Sequence, residues 1–353
     1  MIPRPPRIRQ PQCVLHIRFR NARSFALASL LVLALPAWGQ GALQAKEWKL
    51  STALGPAYPQ GKAGEVWARL INERSQGRLA VKHFPGAALV QRDPGREFVA
   101  LRDGAIDLAI GSASSWASHV KELNLIALPW LFPDRNALER TLKGDVGAKL
   151  SSQIEAAGIV PLAWVADGFR ELATKRPVHA PTDLSGLRVR IPISPLSNDL
   201  LIALGALPAG MGAADGRAAL GRGALDGEVL GVAAFGAARL YASGVGHLLL
   251  WGAQADALIF AINRAVWDTL PDTDRELVRQ AARDAALEAG AVAQRQTDDA
   301  ALAQLAREGA LVTRLTPSGK EPFRSATRTV YDKWAAVIGE HLVRAAEIAA
   351  GPR

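Results

Sequence analysis

Cysteine is almost missing from this 353-residue chain, and the only one is Cys13. It falls inside an amino-terminal segment read below as a leader, so the mature chain has no disulfide, no Cys-based metal site and no thiol nucleophile. The common catalytic signatures are also absent. There is no GxSxG elbow, no HExxH pair, no GxxxxGK[ST] phosphate loop, and no His grouped with Asp or Glu at metal-ligand spacing. The glycine-rich run from Gly210 to Gly216 lacks the GxGxxG spacing. His83, His119, His179, His247 and His341 are scattered, and His247 reads as a hydrogen-bonded structural residue rather than a catalyst. These absences speak against an enzyme and against a bound cofactor. No basic run interleaved with aromatics exists, which excludes a nucleic-acid partner.

What is present first is a processing segment. Residues 1–39 carry Arg4, Arg7, Arg9, Arg18, Arg20 and Arg23 with no acidic residue, then the apolar run Phe25 to Pro36, then Ala37-Trp38-Gly39. That is the layout of a cleavable secretory signal peptide, with a second cleavage choice at Leu43-Gln44-Ala45. The apolar run is shorter than the ~20 residues a bilayer span requires. Lys and Arg number 42 against 33 Asp and Glu, a net +9, and removing the six leader arginines leaves +3. The high isoelectric point therefore belongs largely to the discarded part. Export to the periplasm is expected, with about 310 residues left, enough for two domains.

The mature chain alternates strand and helix patterns. A strand at Trp48 to Thr52 precedes apolar residues at helical spacing, Ala63, Val66, Trp67, Leu70 and Ile71, ended by Gly77. Strands at Leu79 to Phe84 and Ile106 to Ile110 flank a short helix around Phe98 and Leu101. This βαβα order implies an open α/β sheet with helices on its faces. Ligands of such sheets bind beyond the carboxyl ends of strands, which singles out the loop Gly111 to Trp116 and in it Ser112, Ser115 and Trp116. The aromatics of Pro129-Trp130-Leu131-Phe132-Pro133 read as packing. Leu248 to Trp251 and Leu258 to Ile262 read as two further strands. From Thr273 to Glu308 the apolar residues keep helical spacing, and 36 residues at 1.5 Å each make a helix of roughly 54 Å, able to brace two domains. A break near Gly290 is the alternative, since glycine costs about 1 kcal/mol in a helix. Phe323 to Ile348 predicts more helix, packed on the second domain.

The stretch Asp167 to Pro192 sets two arginines on two strands and a loop. Arg170 follows the apolar run Ile159 to Ala166 and the turn residues Asp167 and Gly168, which places it just past a strand's end. Arg190 alternates with Leu187, Val189 and Ile191 on a second strand. A guanidinium keeps its charge and pairs with a carboxylate through two parallel hydrogen bonds, so two arginines converging on one cleft would make an anion site. Arg188 shares the strand pattern, and solvated arginines on strands are the ordinary case.

Phe84-Pro85-Gly86, Gly104 to Asp107, Leu128 to Phe132, Gly168-Phe169-Arg170, Asp183-Leu184 with Gly186-Leu187 and Arg190, Leu225-Asp226-Gly227 and Gly246-His247 follow one another as in a known family. From about residue 46 onward the chain resembles the DctP-type solute-binding proteins of TRAP (tripartite ATP-independent periplasmic) transporters. The resemblance implies a two-domain α/β periplasmic binding protein with hinged lobes and a long bridging helix. It divides the chain into residues 46–166 plus 256–298 for domain I and 167–255 plus 299–353 for domain II. It implies capture of an organic acid between the lobes and delivery to TRAP membrane subunits, with a periplasmic sensor module as the alternative. Arg170 and Arg190 would hold the ligand, with Ser112, Ser115, Trp116, Ala213 and Leu230 around it. Two departures stand out: Ala213 replaces an expected large aromatic, and Val229 and Leu230 replace a glutamate and an asparagine. They predict a roomier, less polar pocket that prefers a carboxylate with an apolar or aromatic body over a short dicarboxylate or a sugar acid.

Overall fold

The computed structural model describes residues 47–352; the leader and Cys13 lie outside the described residues. Nine strands form one mixed sheet. They are β1 (Trp48–Thr52), β2 (Val81–Phe84), β3 (Leu108–Ser112), β4 (Ile159–Thr174), β5 (Arg188–Ile191), β6 (Leu207–Gly210), β7 (Gly227–Leu230), β8 (His247–Asn263) and β9 (Leu311–Arg314). The order is β2-β1-β3-β8-β4-β7-β5-β6, with β9 on β8.

Two strands hold the sheet together. β4 and β8 are 16 and 17 residues long and run antiparallel. At ~3.3 Å per residue each exceeds 50 Å, long enough to pass through both lobes. The carboxyl half of β8 pairs with β3, and its first residues pair with β9. The last residues of β4 pair with β7. The two strands expected at Leu248 to Trp251 and Leu258 to Ile262 are thus one, because Gln254 to Ala257 pair with β4 between them and a register shift passes over Leu250 to Ala253.

Alternation along the strands builds the core. Leu258, Phe260 and Ile262 of β8 and Leu108 and Ile110 of β3 pack in one cluster with Trp67 and Val278. Ala257, Ile259 and Ala261, with Ala109, pack in a second cluster with Phe98, Trp116 and Leu131. Farther along β8 the same period of two sends Leu249 and Trp251 to a third cluster and Leu248 and Leu250 to a fourth. The sheet is therefore covered on both faces along its length, which is why its strands read as near-continuous apolar runs.

The bracing helix is shorter than its pattern predicts. It spans Asp272–Arg295, and a separate helix covers Asp299–Arg307. The break falls at residues 296–298, where Asp298 accepts from the amide of Ala301 at 2.9 Å and starts a new helix. Asp298 is thus the N-cap of the second helix, and Gly290 does not break the first. Gly290 stays helical and has a packing role: a Cβ there would sit 3.1 Å from Val165 of β4.

The carboxyl-terminal stretch also differs from expectation. Its first helix, Pro317–Ala326, puts Phe323 in the second lobe's core. The next two, Arg328–Ile338 and Glu340–Ala350, bury Val330, Trp334, Val343 and Ala346 in the first lobe's cluster instead. Helical spacing shows that a face will be buried, but it cannot say against which lobe.

Candidate functional site

The parallel strands point their carboxyl ends into one cleft. β1 is followed there by Ala53 to Gly55, β3 ends at Ser112, β5 leads to Pro192 and Ile193, β6 to Met211 and β7 to Gly231, and all of these line a cavity of about 930 Å³. This is where ligands of open α/β sheets bind, because strand ends leave amides and loops free.

Arg190 stands on β5 opposite Glu228 of β7 in parallel register. Its Nη1 donates to Glu228 Oε1 at 3.0 Å and its Nε to the Met211 carbonyl at 2.9 Å. The two side chains are 8 % and 3 % exposed, and Glu228 Oε2 has no hydrogen-bond partner. Burial lowers the Arg190 pKa and raises that of Glu228, so each charge loses more hydration than its partner restores. Gly216, on the helix Ala213–Gly221, lets that helix lie on the Arg190 stem, since a Cβ would fall 2.8 Å from Arg190 Cγ.

Arg170 does not sit past a strand's end. β4 continues through it, kinked by register shifts between Ala166 and Gly168 and between Arg170 and Leu172, with Gly168 at φ 110°. A positive φ of this kind suits glycine alone and re-aims the next side chains without ending the strand. Arg170 Nη2 donates to Asp256 Oδ2 and lies 3.2 Å from Asp167 Oδ2. Asp256 also accepts from Ser112 Oγ at 2.6 Å, Ser114 Oγ at 2.7 Å, and the amides of Ser114 and Ala257 at 3.2 and 2.9 Å. Burial pushes Asp256 up, but Arg170 and the two hydroxyls outweigh it and hold the carboxyl below its ordinary range. Burial pulls Arg170 down, and Asp256 and Asp167 reverse this to leave its pKa raised. The two arginines thus differ: one is held by a fully hydrogen-bonded acid, the other by an acid with an oxygen to spare.

Of the residues singled out in the sequence, Arg170, Arg190, Ser112, Ser115, Ala213 and Leu230 line the cavity. Trp116 does not. The supposed serine loop is a short helix, Ala113–Trp116, capped by Ser112, and it turns the indole inward to full burial against Phe98. Gly111 makes room, for a Cβ there would lie 1.9 Å from the ring. Arg188 is the solvated strand arginine, paired to Asp226 at the surface. Glu228, Asp256, Asp167 and Ser114 were missed. A lone acid inside each of the buried runs of β7 and β8 was the available signal, because a buried charge must be paired. Among the described residues no group of three or more His, Cys, Asp or Glu could hold a metal ion.

Comparison with known proteins places this geometry. The family model of DctP, bacterial extracellular solute-binding protein family 7, matches residues 50–337. A TRAP periplasmic solute-binding protein of Ralstonia eutropha, solved with bound (S)-2-acetolactate, is 44% identical with a TM-score of 0.85, covering 87% of this chain and 99% of that one. The C4-dicarboxylate-binding periplasmic protein DctP of Rhodobacter capsulatus is 26% identical over 338 residues, 94% of this chain and 98% of that protein. An uncharacterised protein of Sinorhizobium fredii, y4mM, is 31% identical over 88% of this chain, which spans 57% of that longer protein. The chain belongs to family 7 of the bacterial extracellular solute-binding proteins, the DctP-type, two-lobed substrate receptors that serve the membrane subunits of TRAP transporters.

Proposed function

We propose that the protein is exported, loses its leader near Gly39 or Ala45, and in the periplasm captures a small monocarboxylate with an apolar body, without transforming it. The observation that carries the ligand class is the balance of charge around the cavity. Arg92, Arg170, Arg190 and Arg217 are matched there by Asp93, Asp167, Asp215 and Glu228, with Asp256 directly behind Arg170. With four arginines against five acids, Asp256 included, the site has no surplus positive charge for a second ligand carboxylate, and desolvating one without a partner is costly. Arg190 is placed to hold the single carboxylate, since its Nη2 has no hydrogen bond among the described residues. Arg170 sets the floor of the cleft from the kinked strand.

Part of the lining is apolar. Ala213, Leu230, Ala234 and Ala238 contribute no side-chain donors. These side chains offer a polyhydroxylated ligand no hydrogen-bond partners, so its hydroxyls gain nothing there to offset their desolvation. The acetolactate in the Ralstonia relative is a branched monocarboxylate that also carries a hydroxyl and an oxo group. Succinate and uronates occur in relatives of 19–27% identity, where the likeness in sequence is far weaker.

Capture proceeds by lobe closure over the ligand, with β4 and β8 as the connecting strands. A thermal-shift panel tests the ligand class, because a ligand present at 100 times its dissociation constant stabilises by about 2.7 kcal/mol. Branched monocarboxylates of four to six carbons should give the largest shifts. A larger shift from succinate or glucuronate would overturn the assignment.

A further inference from the structure

Glu228 is the residue whose chemistry the carboxylate site leaves unused. It is 3 % exposed, lines the cavity, and spends one oxygen on Arg190 while Oε2 has no partner. A buried carboxylate oxygen without a donor costs free energy, and such an orphan in a binding cleft is satisfied when a ligand supplies the missing hydrogen. We propose that Glu228 selects ligands carrying a hydroxyl next to the carboxylate: the ligand carboxylate pairs with Arg190, and its 2-hydroxyl donates to Glu228 Oε2.

The geometry favours this adjacency. Arg190 and Glu228 are register partners on neighbouring strands, joined by the 3.0 Å Nη1 to Oε1 contact, so a carboxylate on the outer face of the guanidinium lies beside the glutamate. Only a donor on the neighbouring carbon reaches Oε2 from there without letting go of Arg190. A 2-oxo group would set two acceptors against each other at the same place. A 2-ammonium group is a donor too, but Arg217 on the adjacent helix acts on both members of the pair and opposes a further cation. A hydroxyl is the neutral donor that remains.

This inference rests on the monocarboxylate reading above and adds to it the group that the pocket recognises. Calorimetric titration of the purified protein with four matched acids separates the two. The probes are 2-hydroxy-3-methylbutanoate, 3-methylbutanoate, 2-oxo-3-methylbutanoate and valine, run against the native protein and the isosteric variant Glu228→Gln. In the native protein the hydroxy acid should bind about 10- to 100-fold more tightly than the unsubstituted acid, the range for a hydrogen bond to a charged group. The oxo acid and valine should bind more weakly than the hydroxy acid.

In Glu228→Gln the amide nitrogen can take the place of Oε2, so an acceptor becomes a donor. The preference for hydroxyl over oxo should then fall at least tenfold or reverse, while any general gain from removing a negative charge is common to the anions and cancels in the ratio. A hydroxy-to-oxo ratio unchanged by the substitution, or a native protein that binds hydroxy and unsubstituted acids equally, overturns the role of Glu228 and leaves the monocarboxylate reading standing. Tightest binding by valine overturns the hydroxyl assignment. Binding of none of the four by the native protein removes the monocarboxylate reading itself.

Discussion

Arg190 carries more than a ligand contact. Removing it alone strands the buried carboxylate of Glu228, and breaking a buried pair from one side costs about 3–5 kcal/mol. Arg190→Ala is thus expected to abolish binding and also to lower folding stability by several kcal/mol, as urea denaturation would show. The paired replacement Arg190→Met with Glu228→Leu should recover most of that stability, because apolar residues of similar volume often replace a buried ion pair at little cost, yet it should not recover binding. Arg170→Ala should weaken binding less than the loss of Arg190, since its guanidinium is 20% exposed and already committed to two acids. Equal losses in a calorimetric comparison would contradict that ranking. The resemblance to the family singled out both arginines, since strand spacing alone does not separate them from a solvated one such as Arg188. The sequence did not expose their acidic partners, because a pairing across β5 and β7, or between β4 and β8, depends on sheet order that no local pattern records.

Elements were legible where one face is apolar and local signals agree. The strands β1 and β5 and the helix Pro59–Arg74 lie where alternation and helical spacing put them. The errors arose where tertiary contact overrides a local rule. Gly168 and Asp167 look like a turn, but pairing with β8 along the whole of β4 keeps the strand running through them. The serines after Gly111 look like a loop, but burial of Trp116 winds them into a helical turn. Gly111→Ala tests that packing. Its Cβ would fall within 1.9 Å of the Trp116 ring, closer than any side chain tolerates, so the ring or β3 must move. The expected cost is about 1–3 kcal/mol of stability, or somewhat more if Trp116 is expelled. A variant as stable as the native protein in chemical denaturation would show that the ring has an alternative seat.

At the scale of the whole molecule, family and fold class followed from the order of motifs, while the lobe assignment of the last helices did not. Besides Asp167 and Glu228 at the cleft, burial raises two acids outside the cavity lining, and their titration bears on stability. Glu97 is buried, accepts from Ser51 Oγ at 2.6 Å, and burial pushes its pKa from 4.5 up to about 7. Burial does the same to Glu171, also to about 7, against a hydrogen bond from the Gly252 amide. Between pH 4.5 and 7 the folded state therefore binds more protons than the unfolded state, and stability falls as pH rises through that window. Glu97→Gln removes one of the two contributions while keeping an acceptor for Ser51. Its stability relative to the native protein should rise between pH 5 and pH 8 by up to about 3 kcal/mol, at ~1.4 kcal/mol per pKa unit. A difference constant across that range, measured by denaturation at each pH, would show that Glu97 titrates normally.

The most direct test of the account is a calorimetric titration of the acid that gives the largest thermal shift, run on the native protein and on the variant carrying both Arg190→Met and Glu228→Leu. The account predicts saturable one-site binding by the native protein. It predicts no measurable heat from the variant, even where its melting curve is as cooperative as the native one. Undiminished binding by that folded variant would contradict it, because the carboxylate would then be held somewhere other than the cleft between β5 and β7.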